Sequence, residues 1–316
     1  MPVAMLTGAS VYLIFAHLAW LAPIKPFVND FASILTPCLI FTMLFLTFCK
    51  VSVRELRPRK WHLWLILIQT TSCLMLAIPM ILFPNFPYKV VVQSAMVCLI
   101  CPTATAAAVI TAKLGGNASS LTTYTILSNL VTAVVVPIFF PLIETHEGLG
   151  FWASVWMILG KVFPLLICPL LAAMIVRKFL PKLKEKLTSY HDLAFYLWSV
   201  ALAIVVGQTI RSIVHSQAEW STLIAIGGAG LATCIVQFLL GKRIGGYYND
   251  RISGGQALGQ KNTIFAIWMA YTYLTPLSSL GPGSYVLWQN MFNSWQLWRK
   301  RVKEAHPTHE ATLLKV

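Results

Sequence analysis

Ten apolar runs constrain this chain more than anything else in it. Each is about 18 to 25 residues long, the length of helix that crosses the hydrocarbon core of a bilayer. They fall at roughly 5–24, 31–49, 62–83, 90–113, 119–143, 152–176, 191–214, 219–240, 252–274 and 278–298. Lipid offers the backbone no hydrogen-bond partner, so segments of this kind cross as helices. The expected fold class is an all-α polytopic, multi-pass membrane protein with the lipid bilayer as its surroundings. The composition agrees, with 57% hydrophobic and 11% charged residues.

The formal charge of +14 would suggest a nucleic-acid partner in a soluble protein, but here the cations sit in alternate loops. They therefore report orientation, and no nucleic acid is expected. Lys50, Arg54, Arg57, Arg59 and Lys60 follow the second run, and Arg177, Lys178, Lys182, Lys184 and Lys186 the sixth. Lys242, Arg243 and Arg251 follow the eighth, and Arg299, Lys300, Arg301 and Lys303 the tenth. The loop after the fifth run carries Glu144 and Glu147 instead. Both termini are expected in the cytoplasm. The first run has no basic residues before it, so a retained helix is expected rather than a cleaved signal.

Enzymatic chemistry has no visible foothold. The chain shows no HExxH, no GxSxG and no phosphate-binding lysine loop, and no cofactor is expected. Its seven cysteines lie in or beside apolar runs and read as packing residues, with no metal site expected. Trp61, Trp64, Trp152, Trp295 and Trp298 fall near run ends and read as an interfacial aromatic belt. The stretch AIGGAGLA, 225–232, reads as a close helix contact.

Ten crossings with both ends on one side divide into five plus five, and an odd number forces the second set to run inverted. The expected organisation is a first repeat over 1–150, an inverted second repeat over 151–298 and a cytoplasmic tail over 299–316. Corresponding members share a peculiarity. The fourth run, VVVQSAMVCLICPTATAAAVITAKLGG, has Pro102 in its middle, and the ninth, ISGGQALGQKNTIFAIWMAYTYL, carries glycines and amides in its first half. Proline removes a backbone donor and clashes with the preceding turn, and glycine lowers helix persistence, so both segments are expected to break near mid-membrane. A matched pair of interrupted segments is the best sequence pointer to a transporter's binding site.

These two stretches carry a family resemblance. CPTATAAAVITAKLGGNASSLTTYTILSNL, 101–130, resembles the helix 4 to helix 5 region of the bile acid:sodium symporter family, and GQALGQKN, 255–262, resembles that family's helix 9 pattern E-x-G-x-Q-N. The chain looks like a divergent, bacterial-type member of it. The resemblance implies ten helices, a panel domain and a core domain whose two unwound helices cross, and transport of an organic anion by alternating access. It also implies an inner-membrane location.

Carried over residue by residue, the resemblance keeps Thr105, Asn262, Thr125 and Ser128, and sets Gln69 where a glutamine helps to bind the second sodium ion. It loses the cation ligands. The family's serine–asparagine pair falls on Ala107 and Ala108, its glutamate on Ala257 and its helix 9 glutamine on Lys261; a one-residue shift would bring in Gln260. A methyl group offers sodium no oxygen ligand. All ten acidic residues lie in loops, tails or first turns, whereas lysine enters the membrane at 261 and 161. A lysine at the helix centre costs about 2.5–3.5 kcal/mol on the insertion scale, so Lys261 calls for a function.

The expected substrate is a small organic anion, bound by Thr103, Thr105, Lys261, Asn262 and Thr263 near helix ends exposed by the breaks. Lys261 is expected to replace the coupling cation. Three alternatives stand beside this reading: a proton-linked carrier in which Lys261 titrates, a sodium symporter with a rebuilt site, and a sensor that binds the anion without moving it.

Overall fold

The computed structural model describes residues 2–18, 23–50, 56–144, 148–190 and 193–305. Arg54, Glu55, Glu147, Asp192 and Glu310, all used above to read charge, lie outside them, as does the tail beyond Ala305. The described chain is all α: α1 (Pro2–His17), α2 (Lys25–Lys50), α3 (Lys60–Leu82), α4 (Lys89–Ile100), α5 (Ala107–Leu114), α6 (Ala118–Ile143), α7 (Phe151–Phe179), α8 (Pro181–Ser189), α9 (Leu193–Val214), α10 (Trp220–Tyr247), α11 (Arg251–Gly259), α12 (Thr263–Tyr273) and α13 (Leu280–Ala305). Among the described residues the sole β pairing is an isolated antiparallel bridge between Thr103 and Lys261.

Six of these helices, α2, α3, α6, α7, α9 and α10, are long and apolar enough to cross a membrane singly. The fourth and ninth runs each divide in two, as expected. α4 stops at Ile100 because Pro102 cannot continue it, and Cys101 before the proline is extended (φ −52°, ψ 136°). The second interruption is shorter. The helix runs through all of its glycines to Gly259 and breaks only at Gln260–Asn262, where the Asn262 side chain accepts the Phe265 N–H and starts α12.

Those glycines serve packing instead. A Cβ on Gly254 would stand 2.8 Å from the Gly245 Cα, and one on Gly259 would enter the Phe238 ring. α11 therefore lies backbone-to-backbone on α10. Within 225–232 only Gly230 has such a role, facing Gly281 and Ser284 of α13, while Gly227 and Gly228 face open space.

Two packing groups result. α2 packs on α7 and α9, and α9 on α1; α10 packs on α4, α11 and α13, and α3 on α4 and α6. Contacts of α6 with α7, and of α12 with α2 and α9, join the groups. Two sequence expectations change here. Trp61 is fully buried against Tyr124 rather than in an interfacial belt, whereas Trp64, Trp152, Trp295 and Trp298 are exposed. The cations after the tenth run are not in a loop, because α13 continues through them to Ala305.

Candidate functional site

The two interruptions cross. Ala104 N–H donates to the Gln260 carbonyl at 2.9 Å and Asn262 N–H to the Pro102 carbonyl at 2.8 Å, with Thr103 and Lys261 facing each other between them. The Thr103 hydroxyl donates to the Ala257 carbonyl at 2.6 Å, and the Cys101 thiol to the Asn262 carbonyl at 2.9 Å. Each broken strand thereby supplies partners for the other.

A helix that stops inside a protein leaves its last four carbonyls without partners and its negative dipole end exposed. At the end of α4 every one of these carbonyls is met. Val97 accepts from Cys101 N–H (3.1 Å), Cys98 from Gln237 Nε2 (3.2 Å), and Ile100 from both Gln69 Nε2 (2.8 Å) and the Thr132 hydroxyl (3.0 Å). Leu99 accepts from the Lys261 ammonium at 3.0 Å. The same ammonium lies 3.4 Å from Gln69 Oε1, which the Tyr124 hydroxyl also approaches at 3.1 Å. Lys261 is only 1% exposed, and among the described residues no carboxylate is paired with it. Its counter-charge is the carbonyl end of α4.

Gln289 of α13 fixes the lysine's backbone, accepting its N–H at 2.8 Å and donating to its carbonyl at 3.3 Å. The ammonium thus holds together the third helix, the end of α4 and the start of α12.

The positions assigned by resemblance to the other cation ligands have a different environment. Ala107 and Ala257 are fully buried in one apolar cluster with Trp61, Leu65, Leu121, Tyr124 and Leu258, and Ala108 packs against it. The Thr125 hydroxyl is turned to the Leu121 carbonyl of its own helix. Ser128 Oγ accepts from Thr103 N–H at 3.3 Å. The methyls of Ala107, Ala108 and Ala257 offer a cation no oxygen, while the side-chain oxygens of Gln256 and Gln260 are buried without a hydrogen-bond partner among the described residues.

In front of the crossing lies a cavity of about 560 Å³, within the size range of small-molecule sites. Thr105, Ala108, Gln260, Lys261, Asn262 and Thr263 line it. Thr103, Gln69, Ala107, Ala257, Thr125 and Ser128 lie behind this wall. The opposite wall is Ile40, Met43 and Leu44 of α2 with Trp198 of α9. Among the described residues neither Asp nor Glu lines the cavity, while Lys50 stands among its lining residues. The amides of Thr105 and Ala106, just ahead of α5, have no intramolecular acceptor among the described residues. Gln289 and Asn290 of α13 also line it and were missed in the sequence; amides in the middle of a predicted span were the available signal.

The other intramembrane cations behave differently. Lys161 is exposed on α7, and Lys113 is exposed at the end of α5, where its carbonyl accepts the Lys300 ammonium.

Paired broken helices crossing over a wall of polar groups, inside a bundle of apolar spans, define a membrane carrier. A model of the sodium bile acid symporter family matches residues 36–216, more than half of the chain, and the chain belongs to that family. It is a transporter, not an enzyme, and an integral multi-pass membrane protein. It is also similar to the uncharacterized sodium-dependent transporter YocS of Bacillus subtilis (strain 168), with 23% identity over 300 residues covering 92% of this chain and 90% of the relative.

Proposed function

We propose that the chain carries a small organic anion by alternating access without a coupling sodium ion, the Lys261 ammonium standing where such a cation would otherwise hold the broken helices. The observation that carries this reading is the 3.0 Å contact of Lys261 Nζ with the Leu99 carbonyl, made beside Gln69 and facing no carboxylate. An ammonium has three donors and can bridge carbonyl oxygens much as a bound metal cation does. The apolar packing of Ala107 and Ala257 supports the same reading, since their side chains offer a second cation no oxygen.

The anion class follows from the cavity wall. Thr105, Asn262 and Thr263 present side-chain donors, the starts of α5 and α12 present positive dipole ends, and among the described residues no lining carboxylate repels a negative charge. The apolar wall on α2 and α9 suits a substrate whose charge is at one end of a hydrophobic body. In this reading the membrane contains ten segments in two inverted repeats, 1–150 and 151–298, with α4–α5 and α11–α12 as equivalent members. The group containing α1, α2, α7 and α9 is the panel, and the group around α10 is the core.

Uptake into proteoliposomes across a panel of carboxylates, with sodium or choline as the external cation, tests this. Accumulation is expected to be equal in both salts. Sodium stimulation would overturn the cation replacement, and ligand binding without accumulation would overturn transport. A pH gradient distinguishes a permanently charged lysine, which leaves uptake unchanged, from one that carries a proton.

A further inference from the structure

A second recess, of about 1070 Å³, lies away from the crossing, at the end of the molecule where α10 turns into α11. Arg59, Lys242, Arg243 and Arg251 line it, together with the Gly115–Asn117 turn and a single carboxylate, Asp250. Asp250 is already bound to Arg59 at 2.9 Å. Among the described residues no carboxylate pairs with Lys242, Arg243 or Arg251.

Loop orientation needs cations on one side of the membrane, but it does not need cations from three separate parts of the chain to face one concavity. A helix start also lies here. Asp250, Arg251 and Ile252 at the start of α11 line it, so that helix presents its positive dipole end to the recess, and Asn117, the cap of α6, stands beside it. Arg251 occupies the first position of α11, where a helix favours an acidic residue, and no acidic residue lies in that first turn. Four cations and a positive helix end against one committed carboxylate leave a deficit of negative charge that no described residue fills.

We infer that this recess binds a phosphate-type anion, the headgroup of an anionic phospholipid. Guanidinium groups gathered at a helix start suit phosphate oxygens. The lipid source is favoured by the rim, where Leu239 and Tyr247 are 58% and 75% exposed and would lie along an acyl chain. The inference is independent of the transport reading.

Native mass spectrometry of the purified full chain with phosphatidylglycerol, phosphatidylcholine or inorganic phosphate tests it. Phosphatidylglycerol is expected to be retained over phosphatidylcholine, and its affinity to fall about fivefold for each cation removed, in Arg243→Gln and then in Arg243→Gln with Arg251→Gln. Both side chains are exposed, so the fold is expected to survive. A control with Lys182→Gln and Lys186→Gln on α8 is expected to retain the lipid. Equal retention of the two lipids, undiminished binding in the double variant, or an equal loss in the α8 control would overturn the site. Binding of inorganic phosphate with the same charge dependence would overturn the lipid as its source.

Discussion

Lys261 is held by atoms that a neutral side chain cannot engage in the same way. Its ammonium donates to Leu99 while Gln289 grips its backbone, so removing the charge leaves the α4 carbonyl end facing an apolar chain. Lys261→Met is expected to abolish uptake, and full activity in that variant would show the lysine to be dispensable. Lys261→Gln restores the residue that the family resemblance expects, yet it is not expected to create sodium dependence, because Ala107 and Ala257 still supply no oxygen. Uptake with and without sodium in the glutamine variant checks this. Thr105, by contrast, lines the cavity without belonging to the fully buried lattice behind it. Losing one hydrogen bond to a charged ligand costs about 1.5–3 kcal/mol, so Thr105→Val is expected to weaken substrate binding about ten- to a hundredfold. Unchanged affinity would remove Thr105 from the site. Asn262 is a less clean probe because its side chain also caps α12.

At the scale of elements, the close approach of α10 and α11 is what sets the crossing behind the cavity. A Cβ on Gly254 would stand 2.5 Å from the Gly241 carbonyl oxygen and 2.8 Å from the Gly245 Cα, and backbone cannot move aside as a side chain can. Gly254→Ala is expected to destabilise the fold by about 1–3 kcal/mol, read as a lowered unfolding midpoint in detergent. An unchanged midpoint would show that the two helices can separate freely. The same glycines explain what could be read in advance. Pro102 announces its break because a missing N–H is a local fact, and the polar run 260–263 announces the other because amides are costly in lipid. The glycines of 254–259 suggested a broken helix only because nothing local distinguishes a flexible glycine from one chosen for contact with a distant helix. Trp61 was misplaced for a similar reason, since its burial depends on Tyr124, more than sixty positions away. The apolar runs and the two interruptions were legible, whereas the far wall of the cavity on α2 and α9 was not, because those residues are ordinary apolar side chains until the fold sets them opposite Thr105 and Asn262.

At the scale of the whole molecule, the proposed inverted repeat depends on which ends of the helices share a side of the membrane. α7 has 29 residues, so at 1.5 Å per residue it is roughly 44 Å long, more than the hydrocarbon thickness of about 30 Å. Glu144 closes α6 just before α7, and Lys184 lies on α8 just after it. The two positions therefore stand at opposite ends of a single crossing, with Arg177, Lys178, Lys182, Lys184 and Lys186 gathered at one end. Positive loops stay in the cytoplasm. In a background where the exposed Cys38 is replaced by serine, a cysteine at position 144 is expected to react with an impermeant maleimide in intact cells. A cysteine at position 184 is expected to react only after permeabilisation. Labelling of both from one face would mean that α7 does not cross. The helices after it would then have the same sense as those before it, α11–α12 could not be the inverted counterpart of α4–α5, and the proposal that the crossing at Thr103 and Lys261 lies at the midplane between two mirrored halves would fall.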